Sequence, residues 1–213
     1  ANVAGLKGKL TGELKIGILD NSTMSPSTRV PEVIHHFSEQ HPDVHISIKV
    51  LSSDEIEEEL MDGTLHLGIG LYPDARQNLR SLVSFPVTID LYCGSESPLF
   101  HKAEITTADL KQTSYAKGCY SPDHRSPLAT LLPTPTASSY LSEGLAFLIM
   151  SGRYVGYLPR RYSANWVSNG EMRALPRDQF SHELELSLVV RRGEAVGPIM
   201  RAFLKSFEAF SES

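Results

Sequence analysis

Cysteine is scarce: Cys93 and Cys119 are the two in 213 residues. That excludes a disulfide framework as the source of stability. They form no CxxC, and no His/Cys spacing suits zinc. Two reduced thiols in a cytosolic protein are expected, with ordinary packing favoured over a redox switch. Long apolar runs are absent too. No segment approaches the roughly 18–20 apolar residues of a transmembrane helix, and "ANVAGLKGKLTG" at the start has no signal-peptide core. Basic charge is in deficit, 20 Lys and Arg against 25 Asp and Glu, for a net charge of −5. This argues against the chain gripping nucleic acid by itself, since phosphates want a basic face. Neither a GxSxG elbow nor a P-loop occurs, so the Ser, His and Asp present belong to no recognisable catalytic motif. Internal repeats and low-complexity linkers are missing as well.

What is present is alternating periodicity. "GELKIGILD" (12–20) carries Leu14, Ile16 and Ile18 at the period of a strand and runs into the polar loop "NSTMSPS". Val30, Val33, Ile34 and Phe37 then follow helical spacing, up to His41-Pro42. "VHISIKVL" (44–51) is a second strand. "SSDEIEEELMDG" (52–63) is a helix, opened by a Ser52/Glu55 capping-box pattern and closed at Gly63. "LHLGI" (65–69) is a third strand. Residues 12–70 therefore read β-α-β-α-β, with parallel strands and right-handed crossovers.

A second α/β region begins near residue 89, within a strand expected at 87–94. A short capped helix is expected at 106–112, strands at 114–120 and 154–159, and a helix at 140–153. A further strand is expected at 171–175. The chain closes with a strand at 182–192 and an amphipathic helix at 197–210. Strand-like segments join the two regions, which suits two lobes on a hinge.

In an open parallel sheet, ligands bind beyond the carboxyl ends of the strands. Those ends bring together Asn21, Ser22 and Thr23, then Ser52 and Ser53, then Gly70, Leu71 and Tyr72. Helix N-termini nearby favour an anion. The second region offers a comparable loop, Ser121–Ser126, with His124 and Arg125. A cleft between two lobes would hold a small, polar, anionic ligand. Each of these residues also has a plainer reading. Ser22, Thr23 and Ser53 suit helix caps, Glu143 suits the first turn of a helix, and Tyr72 and Tyr120 suit packing. Arg125 and His124 suit a solvated loop. His35, His36, His41 and His45 cluster in sequence, but His35 and His36 are adjacent and point in different directions on a helix, where a ligand pair wants i,i+4 spacing, so no metal site is expected.

"GELKIGILD", "VIHHFSEQHPDVHISIKV", "LMDGTLHLGIG", "LAFLIMSGRYVGYLP" and the late "LELSLVVRRGE" with "GPIMRAFLKSF" resemble, in order and over nearly the whole chain, the effector-binding domain of LysR-type transcriptional regulators. The resemblance implies two Rossmann-like α/β lobes joined by a two-strand hinge, like type 2 periplasmic binding proteins. Residues 12–88 plus 190–213 would form lobe I and 89–189 lobe II, and 1–11 would end a linker. It implies an effector held by Asn21, Ser22, Thr23, Ser53, Gly70 and Tyr72 from lobe I, and by Tyr120, His124, Arg125 and Glu143 from lobe II. DNA would be bound only through an N-terminal winged helix-turn-helix outside this sequence. It also implies a cytoplasmic location, no membrane contact and no cofactor. A homodimer of this domain would sit within a homotetramer of the full protein, with the helix at 29–40 packed on a partner's terminal helix. The family commonly has Asp where His66 stands. His66 lies far from the expected rim, so that difference reads as structural. The alternative is a periplasmic solute-binding protein of a transport system on the same fold; an enzyme ranks third.

Overall fold

The computed structural model describes residues 9–22, 29–74, 76–193 and 196–211. The first region is β1 (Gly12–Ile18), α1 (Val30–Gln40), β2 (Val44–Val50), α2 (Ser53–Met61) and β3 (Leu67–Leu71). The long strand β4 (Leu79–Gly94) leads into α3 (Thr107–Lys111), β5 (Ser114–Lys117), a 3-10 turn (Pro127–Leu131), β6 (Pro135–Ser138), α4 (Ser142–Met150) and β7 (Tyr154–Pro159). Then come α5 (Ala164–Ser168), β8 (Met172–Ala174), α6 (Arg177–Phe180), β9 (His182–Arg191) and α7 (Pro198–Ser211).

Among the described residues the strands form one sheet in the order β2-β1-β3-β9-β4-β7-β5-β6, with β8 also paired to β4. β1 is parallel to β2 and β3, as the β-α-β-α-β pattern requires, and β5 is parallel to β6 and β7. Between these two parallel ends, β9 runs antiparallel to β3 and to β4, in register from Leu79↔Arg191 to Ile89↔His182. The sheet thus has two α/β halves and a shared antiparallel ladder in the middle.

Local sequence explains the elements. Helix α2 begins with the expected capping box. The Ser52 hydroxyl accepts from the Glu55 N–H at 3.3 Å, and the Glu55 carboxylate accepts from the Ser52 N–H at 2.8 Å. This satisfies two donors that a helix start otherwise leaves open. Ile56 and Leu60, both fully buried, press α2 onto the sheet. A Cβ on Gly68 would lie 2.2 Å from Ile56 Cγ2, so the glycines of "LHLGIG" make room for the helix. Strand β3 starts at Leu67, two residues later than expected. Leu65 is still tied to the helix end through Glu59 O, at 2.9 Å. His66 pairs with Lys15 both ways: its Nδ1 accepts from the Lys15 N–H at 3.0 Å, and its own N–H donates to Lys15 O at 2.9 Å. The role of His66 is structural.

Two expectations are corrected. Strand β4 was expected from 87 but begins at Leu79. A register shift between Ser81 and Val83 breaks the period-two pattern that would have revealed its first half. Helix α1 does not keep its apolar stripe for a partner's terminal helix. Val33 and Phe37 are fully buried within the same chain, and Phe37 meets Phe203 of α7 edge to face, centroids 5.3 Å apart. Phe203 in turn meets Phe207 edge to face, centroids 5.5 Å apart.

Asp90, also fully buried, anchors the second half from β4. Arg160 holds it with two bonds of 2.8 and 2.9 Å, Arg177 adds one of 3.0 Å and the Ser181 hydroxyl one of 2.6 Å. Burial alone would raise this carboxyl. The hydrogen bonds from Arg160 and Ser181, with the charges of Arg160 and Arg177, outweigh it and hold Asp90 below its ordinary value.

Candidate functional site

Between the halves lies a cavity of about 590 Å³. The first half lines it with Leu71, Tyr72 and Pro73, just past β3. The second half contributes Lys117, Gly118 and Cys119 at the end of β5, and Ser121 to His124 in the loop that follows. Glu183, Leu184, Glu185 and Ser187 of β9 close the wall. A wider depression of about 920 Å³ runs along the outer face of α2. It is an open acidic helix surface, where Arg76 pairs with Asp54 and Glu57 at 3.1 and 3.2 Å, and only the first half borders it.

Two sets of bonds span the halves beside the cavity. Asp20, directly after β1 and Leu19, reaches α4: its Oδ2 accepts from the Ser142 N–H at 2.5 Å. The Tyr120 hydroxyl donates to the Asp20 carbonyl at 2.6 Å. On the other side, Arg125 donates to Asp74 at 2.8 Å and to Asp123 at 2.8 and 3.1 Å. Arg125 and Asp74 are more than half exposed, so that bridge is weak in energy though it fixes the loop.

Of the residues that the resemblance names as holding the effector, Tyr72 and His124 line the cavity, beside Leu71 and Ser121 of the same strand end and loop. The others are placed around it in different roles. Asn21 takes a left-handed backbone, φ 60°, and its side-chain amide donates to Asp20 at 3.2 Å. Ser22 is buried and its hydroxyl donates to Leu19 O, so it turns inward as part of the turn and not toward a ligand. Thr23 lies outside the described residues. The Ser53 hydroxyl accepts from the Leu71 N–H at 2.9 Å, which ties α2 to the end of β3. Gly70, named among the effector residues, has no open space beside it for a ligand. A Cβ there would meet Ser53 Oγ and Tyr72 Oη at 3.0 Å, so the space belongs to the protein. Tyr72 donates to the Ser53 carbonyl at 3.3 Å, and burial keeps its hydroxyl well above the ordinary phenol range. Tyr120 is a buried strut, its hydroxyl pushed up by burial and then by the charges of Cys119 and Asp20. Arg125 is held by two carboxylates, and Glu143 is exposed in the first turn of α4.

The donors expected to receive an anion are therefore occupied. Glu55 covers the start of α2, Asp20 the start of α4, and Asp74 with Asp123 the Arg125 guanidinium. Asp20 itself was missed, although it stands where an apolar strand breaks into a charge at its carboxyl end. Glu183 and Glu185 were missed although "HELELS" places them on one face of a strand. Neither cysteine is in a disulfide. Burial pushes the Cys93 thiol up to about 11. Cys119 is open at the surface yet raised to about 12, first by the protein packed around it and then by Asp20. Among the described residues, no group of three or more His, Cys, Asp or Glu is placed to hold a metal ion.

The family model described as the LysR substrate binding domain matches residues 7–211. The HTH-type transcriptional activator BauR of Pseudomonas aeruginosa is 32% identical, over 97% of this chain and 68% of its own length. Among solved structures, the effector-binding domain of QuiR in complex with shikimate superposes with a TM-score of 0.75 at 17% identity, covering 95% of this chain and 98% of that one. Full-length CbnR complexed with its target DNA gives a TM-score of 0.63 at 17% identity, covering 93% and 69%. These likenesses match the two α/β halves to the type 2 periplasmic-binding-protein-like fold. The chain belongs to the LysR substrate-binding domain family: it is the effector-binding domain of a LysR-type transcriptional regulator, a regulatory module and not an enzyme.

Proposed function

We propose that this domain senses a small molecule in the cavity between its halves and passes the change to an N-terminal winged helix-turn-helix domain that binds DNA. The observation that carries this is the cavity itself, bordered by both halves and by the ladder that joins them. Residues 12–88 with 190–213 act as one lobe, 89–189 as the other, and 1–11 as the end of a linker. Tyr72 and His124 face the effector, and Ser53 and Gly70 hold Tyr72 in position. A ligand can drive closure only through different affinity for the two states. The solute-transport reading is not favoured by the family placement.

The domain works as a homodimer within a tetramer. Ile48 and Val50 on edge strand β2 are 46% and 54% exposed, while Tyr140 and Phe147 near the other edge are 83% and 66% exposed. A twofold axis would cover both patches in one closed pair. No described helix is long and apolar enough to cross a membrane, and we place the protein in the cytoplasm. A thermal-shift hit tests the cavity: Leu184→Trp, which fills it, should abolish the shift. A shift that survives Leu184→Trp would place the ligand elsewhere.

A further inference from the structure

We propose that the second half carries a further ligand site, for an organic acid with a flat apolar body. The site is a groove of about 530 Å³ bordered by Phe100 just past β4, Val167 of α5, Gly170, β8 and the start of α6. It shares no lining residue with the cavity between the halves, so the proposal does not rest on that cavity being the effector site. Charge is the first argument. Arg173 and Arg177 line the groove, and no Asp or Glu is among its described lining residues. Glu171 and Asp178 flank the two arginines in sequence without lining it. By contrast, three acids line the cavity between the halves and four line the depression along α2. A chain of net charge −5 thus keeps this groove basic, which draws an anion to it.

The second argument is that both arginines are held in place with donors to spare. Arg173 is pinned through Nη1, which donates to the carbonyls of Leu99, Phe100 and Lys102 at 3.0, 2.7 and 2.8 Å. Arg177 donates Nε to Asp90 at 3.0 Å. Asp90 is shared with Arg160, so positive charge is in excess even there. A guanidinium has five N–H donors. Among the described residues, nothing accepts from Nη2 of Arg173 or from either Nη of Arg177. Pinning lowers the entropy lost when these groups meet a ligand, and a guanidinium fork matches the two oxygens of a carboxylate. The third argument is the apolar wall. Met172 and Leu175 are each 1% exposed, while Phe100 and Val167 are half-buried and still offer surface. A flat apolar body would cover that surface, and the volume lies within the roughly 300–1,000 Å³ of small-molecule sites.

The test is calorimetric titration with 2-naphthoate, its neutral amide 2-naphthamide, and acetate. Naphthoate should bind at least about tenfold tighter than the amide, which lacks the charge, and than acetate, which lacks the apolar body. Arg177→Gln should weaken naphthoate by about tenfold. Because Arg177 also holds Asp90, a second pair of variants keeps the test sound. Gly170 has φ +74° and nothing within 4 Å of a Cβ built on it, and Asn and Asp are the side chains that best tolerate such a backbone. Gly170→Asp brings a negative charge to the groove and should weaken naphthoate by about three- to tenfold, less so in high salt. Gly170→Asn brings nearly the same shape without the charge and should leave binding unchanged. Leu184→Trp, which fills the cavity between the halves, should leave it unchanged too. No naphthoate binding, amide or acetate binding as tightly, or equal loss in Gly170→Asn and Gly170→Asp would overturn the proposal. So would naphthoate binding that Gly170→Asp leaves intact or that Leu184→Trp abolishes.

Discussion

Asp90→Ala is the sharpest test of what holds the second half together. It removes a fully buried carboxylate that accepts from Arg160, Arg177, Ser181 and, at 3.3 Å, the Tyr92 hydroxyl. Breaking a buried ion pair costs about 3–5 kcal/mol when the surviving charge stays desolvated. Here the Arg160 and Arg177 side chains are 43% and 53% exposed and can rehydrate, so we discount to about 2–3 kcal/mol. For a domain of this size that lowers Tm by roughly 4–12 °C, read by circular dichroism at pH 7. The effect has a pH signature. The folded carboxyl lies below its unfolded value, so its stabilisation is present above about pH 4 and is lost as pH falls through the folded value. The gap between wild type and Asp90→Ala should therefore narrow on acidification below about pH 4. A Tm change under about 2 °C at pH 7, or a gap that widens in acid, would refute the account.

Gly94→Ala places a Cβ 2.3 Å from the Ile149 carbonyl oxygen, a backbone atom that cannot step aside; thermal melts should show a loss of about 1–3 kcal/mol or more. Phe37→Ala empties the contact between α1 and α7 and should cost about 3–5 kcal/mol in urea unfolding, with the helical signal lost in one transition. Tyr120→Phe keeps the ring and deletes the bond to Asp20. It should cost about 1 kcal/mol and speed hydrogen exchange at the start of α4, without changing exchange in α2. Arg125→Ala should change stability by less than about 1 kcal/mol, measured in low salt, because its ion pairs are exposed.

The first half was legible because its strands and helices obey clean periods. Leu14 and Ile16 lie in β1, Ile56 and Leu60 face the sheet from α2, and Ser52 caps where the pattern says. The second half was less so. Helices α5 and α6 have five and four residues, too short for a helical period to show, and β6 is a four-residue strand opening on Pro135. Site residues suffered from a different limit. Serines at strand ends are plausible donors on paper, but whether a hydroxyl faces a cleft or its own backbone depends on a rotation no spacing encodes. Ser22 and Ser53 both turned to backbone partners. Arg125 looked available because its two acids, Asp74 and Asp123, lie 51 and 2 positions away, and only the first needs the fold to arrive. Conversely Asp20 passed as the end of a strand, although it makes the contact that reaches across 122 positions to Ser142.

The ladder of β4 and β9 has a consequence for how such proteins can be rebuilt. The chain leaves the first half along β4 and returns along β9, and the two strands are neighbours where Ile89 faces His182. Everything between those positions is therefore a module grafted onto a host by a single seam. A gene splice at the seam would exchange the whole second half for that of a relative without threading any strand through the recipient. The first half, which carries both β1 and α7, would keep its own packing and whatever is attached to it. Chimeras joined at Ile89 and His182 should fold where chimeras joined at midpoints of β1 or α4 do not, and they would pair one relative's Lys117 to His124 wall with the other's Leu71 to Pro73 wall across the same cavity.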